Sequence, residues 1–180
     1  MELYEAIAGR RTVRRFTGDE VPREKLVKLI DSATKVPSWK NTRTPRFTVV
    51  TDKAVIARLS EKGAFGMAHN SGIIGGAAAV IVQSAVKGRA GFEPDGTPST
   101  RCGDGYTFFD GGLAAQNISL AAYAEGLGTV IMGIIDYDAI ADIVSLPEDE
   151  EILCLIAVGV PDGTPSAPPK YTVDEIARFV

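Results

Sequence analysis

The sequence predicts an α+β or α/β sandwich around one sheet with a central buried helix, and three observations carry that expectation. Short apolar runs of strand length alternate with longer segments of helical periodicity. One segment, residues 108–125, is almost free of charge between Asp110 and Glu125 and is apolar or small all round, the pattern of a helix buried on every face. The chain has 180 residues, 45% of them hydrophobic, which suits one domain with a sizeable core and leaves disorder to loops.

Local chemistry justifies each element in turn. Residues 3–8 form one or two helical turns, ended by Gly9 or by the arginines behind it. Residues 21–34 set Val21, Leu26, Val27, Leu29 and Ile30 at helical spacing, with Pro22 near the start where its fixed φ is tolerated; Pro37 and Ser38 end that helix. Residues 47–51 read as a strand, and residues 53–62 as a helix capped by Asp52 and stopped at Gly63. Residues 77–84 are a second, fully buried strand. Residues 87–105 are rich in Gly, Pro, Ser and Asp and predict a long mobile loop or lid. Gly126 and Gly128 close the buried helix, residues 129–132 return as an apolar run, residues 137–144 form a short amphipathic helix and residues 151–158 a strand. Four prolines within residues 161–169 force an extended tail that suits wrapping a surface. A last helix starts at Thr172, because Thr172-x-x-Glu175 is a capping box. No repeat or linker interrupts this order, so residues 1–180 are expected to be one domain.

Charge departs from the chain's own average in one place. The net charge is −4, yet Arg10, Arg11, Arg14 and Arg15 crowd six positions, broken only by Thr12 and Val13 and followed by Phe16. An arginine fork pairs bidentately with phosphate or carboxylate, and a hydroxyl such as Thr12 adds a donor, so the cluster suits an anion. A solvated basic helix end, complementing the dipole, would give the same pattern. Continued helical geometry would set Arg10 beside Arg14 and Arg11 beside Arg15. The acidity of the rest and the shortness of the cluster argue against nucleic acid. No stretch is long enough to span a bilayer, and the first residues lack a basic segment followed by an apolar run, so a cytoplasmic protein without a membrane partner is expected.

Side chains alone offer little catalytic chemistry. Cys102 and Cys154 are too few for a disulfide framework and too far apart for a Cys-x-x-Cys site, and His69 is the sole histidine, so no metal is expected. Cys154 lies in an apolar run and reads as core. Gly126-x-Gly128 lacks the third glycine of a dinucleotide fingerprint and follows a helix instead of a strand. There is no Gly-x-x-x-x-Gly-Lys loop and no Gly-x-Ser-x-Gly elbow, and His69, in Met67-Ala68-His69-Asn70, reads as a surface or capping residue. A bound cofactor would account for so sparse an apparatus.

The residues now carry a resemblance. Arg10-Arg11-Thr12-Val13-Arg14-Arg15-Phe16, Pro37-Ser38-Trp39-Lys40-Asn41, Asp110 with Ala114-Ala115-Gln116-Asn117, Gly126-Leu127-Gly128-Thr129 with Met132-Gly133, and Gly159-Val160-Pro161 to Lys170 together resemble the FMN-dependent nitroreductase family. The resemblance covers essentially the whole chain. It implies an α+β three-layer sandwich, with a mixed sheet flanked by helices, in an entwined homodimer that holds two FMN molecules in its interface. It further implies that electrons pass from NADH or NADPH to the flavin, and then to a small acceptor such as a nitroaromatic or quinone. The hydride is carried at flavin N5, so no protein catalytic residue is implied. Carried over by motif, Arg10, Arg11 and Thr12 would hold the FMN phosphate and ribityl chain, and Arg14 would approach the N1/O2 edge of the ring. Pro37, Ser38 and Trp39 of the partner subunit would line the other side, with Asn41 ordering that loop. Asn70 would face the pyrimidine edge, Met132 and Gly133 the dimethylbenzene or N5 side, and Lys170 would close the phosphate site.

Elementary chemistry agrees with those placements. A phosphate needs several fixed donors, and a flat ring needs an apolar slot with a few polar groups at its edges. A cation near N1 stabilises the reduced anionic ring. Two features depart from the family's usual pattern: Arg43-Thr44-Pro45-Arg46-Phe47 stands where a Gln-Pro-Trp-like run is common, and residues 87–105 lie where the family places substrate-covering elements. Phe92, Tyr106 and Phe108 are candidates to face an acceptor there, with core packing the expected role of Phe108. Trp39 could stack near the flavin or bury at the dimer contact. An FMN oxidoreductase is therefore expected; the alternatives are a non-catalytic flavin-binding sensor or store, and another flavin reaction such as reductive dehalogenation on the same scaffold.

Overall fold

Strands of alternating residues and helices with one apolar stripe assemble here into three layers. The computed structural model describes residues 2–180. Its elements run α1 (Leu3–Gly9), α2 (Arg23–Ala33), a tight turn at Trp39–Asn41, β1 (Pro45–Val50), α3 (Lys53–Lys62), α4 (Ala68–Gly76), β2 (Ala79–Val86), α5 (Gly105–Ala124), β3 (Gly128–Met132), α6 (Tyr137–Val144), β4 (Glu150–Gly159) and α7 (Val173–Ile176). The sheet order is β1-β2-β4-β3 and every neighbouring pair is antiparallel; a single parallel bridge joins Thr12 to Thr129.

Alternation along the two central strands sorts the core into two halves. Val80 and Val82 of β2, with Leu155 and Ala157 of β4, face Ile56 and Leu59 of α3, Ile73 and Ile74 of α4, and Ile140 of α6. Ala79 and Ile81, with Cys154, Ile156 and Val158, face Leu26 and Leu29 of α2 and the stripe Ala114, Ala115, Ile118 and Ala122 of α5. A bulge between Gln83 and Ser84 breaks the register opposite Cys154 and Ile152. Buried Gln83 donates from Nε2 to Gly111 O at 2.7 Å, which joins the sheet to α5. Among the described residues no helix is long and apolar enough to cross a membrane, and no group of metal-ligating residues occurs.

The expectation for the central helix needs correction. Helix α5 is not buried on every face: its small residues meet the sheet, whereas Phe108 and Phe109 are exposed, so Phe108 is not a core residue of this chain. Residues 87–105 form the expected loop, without helix or strand before α5 begins at Gly105, and it is braced by polar contacts. Phe92 bridges Pro98, Ser99 N–H donates to Gly91 O, and Glu93 accepts from both Ser99 Oγ and Lys40 Nζ at 2.6 Å. Helical geometry stops at Gly9, one of the two ends the sequence allows, because Arg10 turns to φ −56°, ψ 132°, and the arginine pairs therefore do not share helix faces. Helix α4 lacks a clean periodic stripe in the sequence, since Gly72, Gly75 and Gly76 dilute it; burial of Ile73 and Ile74 against the sheet outweighs that weak propensity.

Candidate functional site

The basic segment is extended and held on one side only. Val13 N–H donates to Thr129 O at 2.9 Å beside β3, Thr17 N–H to Val160 O at 3.0 Å, and Asp162 N–H to Arg15 O at 3.0 Å beyond β4. Buried Val13 sits against Gly128, where a Cβ would lie 2.6 Å from the Val13 side chain, and Phe16 sits against Gly159, where one would lie 2.7 Å from its ring. Glycine at those two positions lets the segment approach the sheet edge closely. The period-2 geometry then turns Arg14 outward beside buried Val13.

Two cavities of about 600 Å³ each flank this segment, and Arg14 lines both. The first is lined by Arg10, Arg11, Thr12, Arg14 and Lys170, by Gln116 from α5, and by the tail at Pro165 and Pro168. The second is lined by Asn70 and His69 from α4 and by Met132 and Gly133 at the end of β3. No acidic residue lines either cavity, and among the described residues none of Arg10, Arg11, Arg14 or Lys170 makes an ion pair. A set of uncompensated cations beside an apolar-edged slot attracts an anion with a flat body. Arg11 also braces the end of α1, where its Nη1 donates to Ala8 O at 2.6 Å and Arg10 O at 2.9 Å and satisfies carbonyls that the helix leaves open. Asn70 donates from Nδ2 to Ile134 O at 2.9 Å, so it ties α4 to the turn after β3. Tyr137 Oη donates to Gly133 O at 3.0 Å and holds the other side of that turn.

Pro37, Ser38, Trp39 and Asn41 line neither cavity of the same chain. Trp39 packs its ring 4.2 Å from that of Tyr106, and its backbone N–H donates to Asp110 Oδ2 at 2.9 Å. Ser38 Oγ accepts from Arg43 N–H at 3.0 Å, and Asn41 N–H donates to Ser38 O at 3.0 Å. Asn41 is left-handed, at φ 56°, a conformation that asparagine tolerates better than most residues.

Sequence reasoning passed over three contributors. Gln116 lines the first cavity beyond its place in a family-like motif, the tail prolines line it beyond the role of a wrap, and His69, exposed as the sequence predicts, borders the second. Topology brings in the first two: Gln116 within α5 and the run before Lys170 meet the arginines from more than 100 positions away. Cys154 stays outside the site, because burial pushes its thiol up to about 12 and keeps it protonated.

The Nitroreductase family model matches residues 7–73 and 66–160. A Methanothermobacter thermautotrophicus protein, provisionally named NADH dehydrogenase/NAD(P)H nitroreductase, is 28% identical over 180 residues, covering 98% of this chain and 86% of its own. A solved nitroreductase family protein of Clostridium novyi NT superposes with a TM-score of 0.76 at 27% identity, over 90% of this chain and 86% of that one. The NADPH:FMN oxidoreductase of Vibrio harveyi, solved with NAD+, shares the fold with a TM-score of 0.80 at 22% identity, over 98% and 76% of the two chains. With the three-layer architecture, the glycine-seated basic segment and a family match over most of its length, this chain belongs to the nitroreductase family.

Proposed function

We propose that residues 1–180 form a single FMN-binding oxidoreductase domain that passes electrons from NADH or NADPH to a nitroaromatic, quinone or similar small acceptor. The observation that carries this is the pair of acid-free cavities joined at Arg14. Their donor chemistry fits FMN. Arg10, Arg11 and Lys170 supply the fixed cations that a phosphate needs, with Thr12 adding a hydroxyl. Asn70, Met132 and Gly133 border a slot in which the space above Gly133 is open, with no heavy atom within 4 Å of where a Cβ would stand. FMN, when bound, supplies the two-electron chemistry that the side chains lack. The chain's own residues bind the phosphate, orient the ring and set the charge at its N1/O2 edge. Pro37, Ser38 and Trp39 would reach a flavin of the other subunit in a homodimer, which accords with their distance from both cavities of their own chain.

Purified protein should carry, or take up on addition, a yellow chromophore with FMN's absorbance, and should oxidise NADH or NADPH in the presence of a quinone. Absence of FMN binding at micromolar concentration would remove the proposal. Binding without turnover would favour the non-catalytic sensor or store. FMN should be preferred to FAD, because an adenylate on the phosphate crowds the arginine fork.

A further inference from the structure

Asp110 is an acid in the second turn of a helix that carries no other charge, on the face that meets the rest of the fold. It is 2% exposed and forms no ion pair among the described residues. Burial raises its carboxyl above the ordinary aspartate range, while the Trp39 N–H bond pulls the other way. A buried carboxylate without a counter-ion is a costly way to fill space, so packing does not explain it.

Its partner loop is strained. Lys40, Asn41 and Arg43 take φ values of 43°, 56° and 50°, three left-handed residues in four positions and none of them glycine. Such backbone persists only where its surroundings over-determine it. The bonds from Asn41 N–H and Arg43 N–H to Ser38, and from Thr42 N–H to Trp39 O, close the loop on itself without tying it to the body. Besides an exposed bond from Arg46 Nη1 of β1 to Arg43 O at 2.9 Å, three contacts tie it: Trp39 N–H to Asp110 Oδ2, the Trp39 ring on Tyr106, and Lys40 Nζ to Glu93 Oε1. The last is an exposed ion pair and holds little. Tyr106 and Asp110, four residues apart, share one face of α5, so they form a two-point mount for Trp39. Around it Trp39 Nε1, Thr42 Oγ1, Thr44 Oγ1 and Thr107 Oγ1 are buried without a partner, which leaves the Asp110 bond as the buried polar link between loop and helix.

We propose that Asp110 is a positioning residue: its carboxylate grips the Trp39 backbone N–H and holds the 37–43 loop in the single conformation that presents Pro37, Ser38 and Trp39 to the flavin of the other subunit. The inference rests on the FMN proposal for its consequence, though not for the clamp itself. A preset loop spares the ordering cost that a mobile one would impose on flavin binding.

The first test needs no variant. In the wild-type protein, with and without FMN, the Trp39 amide should exchange hydrogen as slowly as amides of β2; exchange at the rate of an open loop overturns the clamp. Trp39 is the only tryptophan, so its fluorescence reports the loop alone. Asp110→Leu keeps the branched outline of four side-chain heavy atoms, though bulkier, without an acceptor, and should red-shift that emission and open it to acrylamide quenching. Asp110→Asn retains a carbonyl acceptor and should restore wild-type emission. Unchanged emission in folded Asp110→Leu refutes the clamp; should that variant fail to fold, the amide exchange decides. FMN dissociation constants should rise about tenfold or more in Asp110→Leu and return to within a few-fold in Asp110→Asn, as loss and recovery of a hydrogen bond to a charged group predict. Wild-type affinity in Asp110→Leu with Trp39 released would overturn the positioning role. A wild type that binds no FMN would instead defeat the flavin proposal, leaving the Trp39 measurements to judge the clamp.

Discussion

Arg14 is the residue that both cavities share, and its exposed guanidinium has no carboxylate of its own to satisfy. Placed near the N1/O2 edge of a flavin, it would favour the reduced anionic ring by about 1–3 kcal/mol in a partly wet site. With about 30 mV per 1.4 kcal/mol for a two-electron couple, Arg14→Ala should lower the flavin midpoint potential by roughly 20–60 mV. Arg10→Ala, which would strip a phosphate contact present in both redox states, should weaken FMN binding more and move the potential less. A redox titration with the same midpoint in wild type and Arg14→Ala, at full flavin occupancy, would take Arg14 out of the site. Asp110 carries a different signature. Its folded-state pKa is raised above the unfolded value of 3.8, so the stability it contributes is complete below that pH and is lost as pH rises through the folded value. Asp110→Asn escapes that loss, so its unfolding free energy should gain on wild type as pH climbs from 3.8, and urea titrations across that range should show a difference that grows. A difference flat with pH would mean that the carboxyl is not shifted by burial.

Elements differed in how openly the sequence declared them. Helix α3 came with its cap and its stop, since Asp52 Oδ1 accepts from Ala54 and Val55 N–H and Gly63 follows Lys62. Helix α6 and the Thr172–Glu175 capping box were equally legible, because each is a local rule met by local residues. Helix α4 was hidden by its glycines, and the bracing of residues 87–105 was hidden because its Lys40–Glu93 tie joins positions 53 apart. The candidate site divides the same way. Its cations were visible as a charge anomaly, but the seat that holds them extended depends on Gly128 and Gly159, which periodicity cannot connect to Val13 and Phe16. That seat can be tested directly. A methyl at Gly128 would meet the Val13 side chain at 2.6 Å, so Gly128→Ala must push the basic segment off β3 or distort the strand, at about 1–3 kcal/mol for overpacking. FMN affinity should fall with stability. A Gly128→Ala protein with wild-type urea midpoint and flavin affinity would show that the close approach is dispensable.

At the scale of the molecule, the exposed surface accords with the proposed homodimer. A compact monomer of 19.1 kDa exposes about 8,400 Å², whereas this chain exposes 10659 Å². The excess is of the size that obligate partners cover. Its apolar part is concentrated: Leu3, Tyr4 and Ile7 on α1, Phe108 and Phe109 on α5, and Tyr171, Val173, Ile176 and Phe179 in the tail, with Phe109 61% and Phe179 87% exposed. Exposed apolar side chains in such number are what a subunit interface would cover. A second copy is the natural occupant, because a self-complementary contact can bury α5 against α5 while each tail wraps its neighbour. The same contact would carry Pro37, Ser38 and Trp39 to the other chain's cavities, which ties flavin binding to assembly. Sedimentation should therefore give a dimer at micromolar concentration, and Phe109→Glu should shift it toward monomer and release FMN together with the interface. A folded wild-type monomer that still holds its flavin would refute a site shared between subunits, and would return those three residues to a role within their own chain.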